Sequence, residues 1–121
     1  MQSTCHAPAS ACAFWAAHID PFTKSHNIKG GVYLYPTQAR RIHALLEEMR
    51  TPGERLHVCE TGFNAGHFAS LVLLLNFTRV TSFDLFDRPY QRRVVENLSS
   101  AFGEDRFQII KGDTQWTIPR A

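Results

Sequence analysis

The stretch Leu56-His57-Val58-Cys59-Glu60-Thr61-Gly62-Phe63-Asn64-Ala65-Gly66-His67 limits what this chain can fold into more than any other. Leu56 and Val58 bring apolar character, Gly62 and Gly66 break it, and a helix-like apolar run follows at once. That order predicts a short buried strand, a glycine loop and the first turn of a helix. Such a corner is where a parallel α/β sheet holds a small ligand. The glycines alone carry little, because at about 7% of residues two of them spaced by four are common by chance. Glu60 two positions before Gly62, with a strand ahead and a helix behind, makes the composite far more specific.

Charge then narrows the ligand. A dinucleotide brings an anionic pyrophosphate, which wants bare N–H groups at a helix start and a tighter fingerprint of three glycines. The third glycine is missing here. A carboxylate at the strand end repels phosphate and attracts a cation such as the α-ammonium of a methionine moiety. Glu60 therefore argues against NAD and towards S-adenosyl-L-methionine. The pattern Glu60-x-Gly62-x-x-x-Gly66 resembles the first motif of class I S-adenosylmethionine-dependent methyltransferases. The resemblance implies a Rossmann-like three-layer α/β sandwich with a parallel sheet. It also makes Glu60, Gly62, Phe63, Asn64 and Gly66 expected cofactor-binding residues.

Two later positions agree with that resemblance. Residues 79–84, Arg-Val-Thr-Ser-Phe-Asp, read as a second strand that delivers Asp84 at its carboxyl end. Ligands of open α/β sheets bind at that end, and a carboxylate there can accept both hydroxyls of a ribose. Asp84 thus resembles the family's ribose-binding acid. A third strand follows over residues 106–111, through Phe107, Ile109 and Ile110, and ends in Gly112-Asp113. The resemblance makes Asp113 the acid that holds an adenine amino group. His67 is expected as a polar residue at a helix start, with a ligand contact as the other option.

The helices are legible from periodicity. Ala11, Phe14, Trp15, His18 and Ile19 fall on one face of a short helix that Asp20-Pro21 is expected to stop. Residues 37–50 form an amphipathic helix with Ala39, Ile42, Leu45, Leu46 and Met49 on one side. Residues 67–76 are apolar almost all round, so that helix must pack on more than one side. Pro89 opens another, with Val94, Val95, Leu98, Ala101 and Phe102 as its buried stripe and Gly103 as its close. Between the first two helices, Val32 to Tyr35 reads as a brief extended piece, and Tyr33 and Tyr35 are core residues or a lid over an adenosine.

Residues 1–31 read as an N-terminal extension with a short helix, and residues 32–121 as the N-terminal half of a methyltransferase-like domain. A formal charge of +2, with Lys and Arg scattered, excludes neither fold nor enzyme but gives no basis for nucleic-acid or membrane binding. Cys5, Cys12 and Cys59 cannot all pair within one chain, and with Cys59 in a predicted buried strand the usage fits reduced thiols and a cytoplasmic protein. The spacings of Cys5, His6, Cys12, His18 and His26 match no standard zinc pattern, so no metal is expected.

The resemblance covers only the first half of the family's domain, whose first strand is central in a sheet of seven. On that reading the sheet is truncated after its third strand, and residues 56–60 become an edge that invites self-association or a partner chain completing the sheet. The expected function is methyl transfer to a small-molecule acceptor, with a hydroxyl acceptor as one option. Such a transfer needs alignment more than a protein nucleophile, and no residue stands out as a general base. The alternative is a non-catalytic adenosyl-binding or interaction module. A weaker third reading is an NAD enzyme with an atypical fingerprint.

Overall fold

A computed structural model of the chain describes residues 5–24 and 36–113. Its elements run α1 (Ala9–His18), α2 (Asp20–Thr23), α3 (Pro36–Met49), β1 (Leu56–Thr61), α4 (His67–Leu73), β2 (Thr78–Asp84), α5 (Gln91–Phe102) and β3 (Phe107–Lys111). The strands form an all-parallel sheet in the order β1-β2-β3. This is the α/β, Rossmann-like arrangement that the glycine corner demands, since parallel neighbours need a crossover and a helix supplies it. The extended piece over residues 32–35, with Tyr33 and Tyr35, lies outside the described residues.

Register divides the sheet into two faces. Val58, Val80 and Phe107 stand side by side and look towards the helices. There they share one hydrophobic cluster with Leu71, Val72, Val94 and Leu98. His57, Cys59, Arg79 and Gln108 look the other way, as do Thr81 and Phe83, which are buried on that face of β2. β1 therefore differs from the strand expected from Leu56 and Val58: only one face is covered, and His57, Cys59 and Thr61 are exposed. The cause is alternation, which in a strand sends successive side chains to opposite faces.

Helix α4 is buried at six of its seven positions, as a helix apolar almost all round requires. The sheet takes one side of it, and α1 and α3 take others. Trp15 of α1 donates its indole N–H to Ser70 Oγ of α4 at 2.9 Å, and Phe14 stacks on Phe102 of α5 with centroids 5.1 Å apart. His43 of α3 donates to the Leu71 carbonyl at 2.6 Å. The N-terminal extension thus contributes Ala11, Trp15 and Ile19 to the main core. Asp20-Pro21 does end α1, but Pro21 also starts α2, because proline fits the first turn of a helix where its missing N–H is not needed.

At the opposite end of the sheet from the glycine loop, Arg106 ties three segments together. Its guanidinium donates to the carbonyls of Leu73, Leu75 and Thr78 at 2.7–3.0 Å. A cation there satisfies carbonyls that the end of α4 leaves open. Two of the three cysteines depart from the reduced state expected of them. Cys5 and Cys12 form a disulfide because the segment before α1 folds back on it and buries Ala7. Cys59 is a free thiol and exposed rather than buried. Among the described residues no helix is long and apolar enough to cross a membrane.

Candidate functional site

Parallel strands all point their carboxyl ends the same way, so the loops after β1, β2 and β3 gather on one rim. A cleft of about 500 Å³ opens there, lined among others by Gly62, Asn64, Asp84, Leu85, Tyr90 and Asp113. Four of the seven residues expected from the sequence therefore meet in one place: Gly62, Asn64, Asp84 and Asp113. Glu60, Phe63 and Gly66 do not line the cleft.

The two glycines of the loop serve different purposes. Gly62 has φ of +83°, its N–H donates to the Phe83 carbonyl at 2.7 Å, and nothing lies within 4 Å of where a Cβ would stand. Its conformation turns the chain and leaves open space. Gly66 has φ of +86°, and a Cβ there would meet Phe63 at 2.8 Å and Val94 at 3.0 Å. It is a packing glycine, letting α4 begin close against the core. Phe63 itself is buried, with its ring 5.6 Å from that of Phe107, so this loop residue belongs to the core.

Asn64 is the hub of the loop. It takes a positive φ of 53°, which asparagine tolerates better than most side chains. Its N–H donates to Asp84 Oδ2 at 3.1 Å, its carbonyl accepts from Gln91 Nε2 at 2.9 Å, and its Oδ1 accepts from the Tyr90 hydroxyl at 2.7 Å. The loop after β1 is thereby fixed to the end of β2 and to the start of α5. Asp84 is held from both sides, because Oδ1 also accepts the Phe86 N–H at 2.8 Å. Beyond β3, Gly112 donates to the Asp84 carbonyl at 2.9 Å and brings Asp113 to the rim.

Glu60 stands on the helix-side face of β1, in register with Ser82, whose hydroxyl donates to its Oε1 at 2.5 Å. Burial pushes this carboxyl up to about 8, the Ser82 hydrogen bond opposes the rise, and the nearby Asp84 charge adds to it. His67, expected at a helix start, is there, but it faces away from the cleft. It is buried, donates to Asp20 Oδ1 at 3.3 Å and meets the Trp15 ring edge-on at 5.3 Å. Burial lowers its pKa, against the pull of Asp20.

Sequence reasoning missed Tyr90, Gln91 and Leu85. Helix starts that follow strand ends in such a sheet face the ligand rim, so the residues just after Pro89 carried a signal that periodicity alone does not use. Leu85, 61% exposed at the cleft, shows only as the apolar residue after the strand-ending acid. Charge at the rim is mainly negative: Asp84, Asp87 and Asp113 line the cleft, and Arg88 there lies 3.8 Å from Asp87. Among the described residues no group of three His, Cys, Asp or Glu side chains is placed to hold a metal ion. No family model matches this chain, and no curated protein is significantly similar to it.

Proposed function

We propose that the rim cleft binds the adenosyl part of S-adenosyl-L-methionine and that the chain is the cofactor-holding half of a methyltransferase for a small-molecule acceptor. The observation that carries the reading is the Asp84 carboxylate. Each of its oxygens accepts one backbone N–H, from Asn64 and from Phe86, which fixes its orientation. A carboxylate oxygen has room for a second hydrogen bond. Two oxygens, each with one acceptor site left, suit a vicinal diol such as that of a ribose.

The remaining residues fit the same ligand. Leu85 offers apolar surface for a flat base, and Asp113 offers an acceptor for an amino group. The acidic rim disfavours phosphorylated nucleosides, which supports a cationic adenosyl ligand over NAD. S-adenosylmethionine would supply an activated methyl group on sulfur. The chain's own part is to bind and orient: the loop from Gly62 to Gly66 shapes the cleft, and Asn64, Tyr90 and Gln91 hold it still.

A second reading is a non-catalytic adenosyl-binding module that pairs with another copy or another chain. It is favoured by β1, which among the described residues has a strand neighbour on one side only. Calorimetric titration tests the shared part of both. The expected result is micromolar binding of S-adenosylhomocysteine, weakened at least tenfold, about 1.4 kcal/mol, in Asp84→Ala. Binding of NAD with no response to S-adenosylhomocysteine would remove the adenosyl-sulfur ligand from consideration.

A further inference from the structure

Two stretches match the acceptor pattern Asn-x-Ser/Thr for an asparagine-linked sugar, Asn76-Phe77-Thr78 and Asn97-Leu98-Ser99. The pattern is short enough to arise by chance, so by itself it marks nothing. Two features of the structure give one of the matches meaning.

The first is chemical. Cys5 and Cys12 are joined in a disulfide. Such bonds form and persist in oxidising surroundings, as on the secretory route, whereas the cytosol keeps thiols reduced. Asparagine-linked sugars belong to secreted chains too. Disulfide and acceptor pattern therefore point to one compartment from unrelated residues.

The second is geometric. Asn76 is exposed in the turn between α4 and β2. The residues around it hold that turn in place: the Phe77 carbonyl accepts the Leu56 N–H at 2.8 Å, and the Leu75 carbonyl accepts both the Thr78 N–H at 3.1 Å and the Arg106 guanidinium at 2.9 Å. β2 runs seven residues from Thr78 to Asp84, so the turn stands about 20 Å along the strand from the cleft. A sugar on Asn76 enters solvent and leaves the cleft open.

Asn97 is placed differently. It lies within α5, half-buried, and its Nδ2, the atom that would bear the sugar, donates to the His18 carbonyl at 3.0 Å. A sugar there would crowd the contact by which α5 holds the end of α1, on the side where Phe14 stacks on Phe102. Thr78 sets the timing at the other site. It is fully buried, and its hydroxyl donates to the Val72 and Leu75 carbonyls at 2.7 and 2.8 Å. An enzyme that reads the whole pattern must reach that hydroxyl, so the sugar is added before α4 packs on β2.

We propose that Asn76 is an N-glycosylation site of a chain that passes through an oxidising secretory compartment, and that the folded protein bears no sugar on Asn97. The donor is an oligosaccharide linked to a lipid diphosphate. The sugar's anomeric carbon breaks its bond to the diphosphate oxygen and forms one to Asn76 Nδ2. The amide nitrogen gives up one proton, and the lipid diphosphate leaves with the bonding electrons. Nothing is oxidised or reduced. The site is independent of what the cleft binds.

The test is peptide mapping by mass spectrometry of the protein purified from its own cells, before and after a peptide-N-glycosidase, which converts a sugar-bearing asparagine to aspartate. The expected result is conversion at Asn76, none at Asn97, and a linked Cys5–Cys12 peptide before reduction. A second measurement does not depend on folding: the chain is translated behind a secretion leader into microsomes, where Asn76→Gln should lose one glycosidase-sensitive mobility shift relative to wild type. An unmodified Asn76 in the protein from its own cells overturns the proposal, as does a shift that Asn76→Gln leaves unchanged. Sugar on Asn97 of the folded protein overturns the choice between the two sites.

Discussion

The two faces of the sheet are made by the same three strands and differ in how completely they are covered, since away from the helices only the central strand buries side chains, at Thr81 and Phe83. On the helix side Val80 and Phe107 are buried against α4 and α5, and even the polar Thr78 and Ser82 are fully enclosed with their hydroxyls hydrogen-bonded. On the other side His57, Cys59, Arg79 and Gln108 are exposed, and His57 is hydrogen-bonded to Thr81 at 2.8 Å. The lesson is that burial, not strand membership, separates the residues that stabilise this fold from those that do not. The candidate site belongs to neither face. It lies on the rim where the strands end.

Adjacent residues on β3 give the largest test of that difference. Phe107→Ala should destabilise the protein by about 3–5 kcal/mol, as loss of a buried aromatic does, while Gln108→Ala should stay within about 0.5 kcal/mol. Denaturant unfolding measures both, and similar losses would erase the contrast between faces. Next come the glycines. Gly66→Ala meets both a left-handed backbone and the Phe63 ring, and should cost about 2–4 kcal/mol. Gly62→Ala meets only the backbone strain, about 1–2 kcal/mol, and should weaken ligand binding as well. A Gly66→Ala protein as stable as wild type would contradict the packing role assigned to that glycine.

Smaller effects come from pH. Glu60 has a raised pKa in the folded state, so its contribution is fully present below its unfolded value of 4.5 and is lost as pH rises through about 8. His67 has a lowered one, so its contribution is present above 6.5 and is lost as pH falls through the folded value. Melting temperature across that range should fall on both flanks, with Glu60→Gln flattening the alkaline side and His67→Gln the acid side. A profile unchanged by Glu60→Gln would show that the carboxyl is not buried as described. The smallest effect is at Cys59, which should react fully with a maleimide in the folded protein and tolerate Cys59→Ser within about 0.5 kcal/mol. Reaction only on unfolding would close the open face.

The sequence made the local elements legible because each obeys a short-range rule. The amphipathic stripe of α3, the mostly apolar α4 and the acid ending β2 all rest on spacing within a few residues. Asp84 and Asp113 reach the same rim as Gly62 and Asn64 because parallel topology forces strand ends together. What the sequence left unread has a common source in long-range packing. Phe63 looks like a loop residue until Phe107 is placed beneath it, and Trp15 finds Ser70 across 55 residues. Cys59 was legible in principle, since His57, Cys59 and Thr61 alternate with Leu56, Val58 and Glu60. The Tyr90 bond to Asn64 was not, because nothing local links a helix start to a loop 26 residues earlier.

The most direct test of the adenosyl site is an amide chemical-shift map of the 121-residue chain titrated with S-adenosylhomocysteine. The account predicts saturable shifts at Gly62, Asn64, Leu85 and Asp113, around one cleft, with His57, Arg79 and Gln108 on the open face unmoved. Shifts confined to the open face, or none at millimolar ligand, would contradict it.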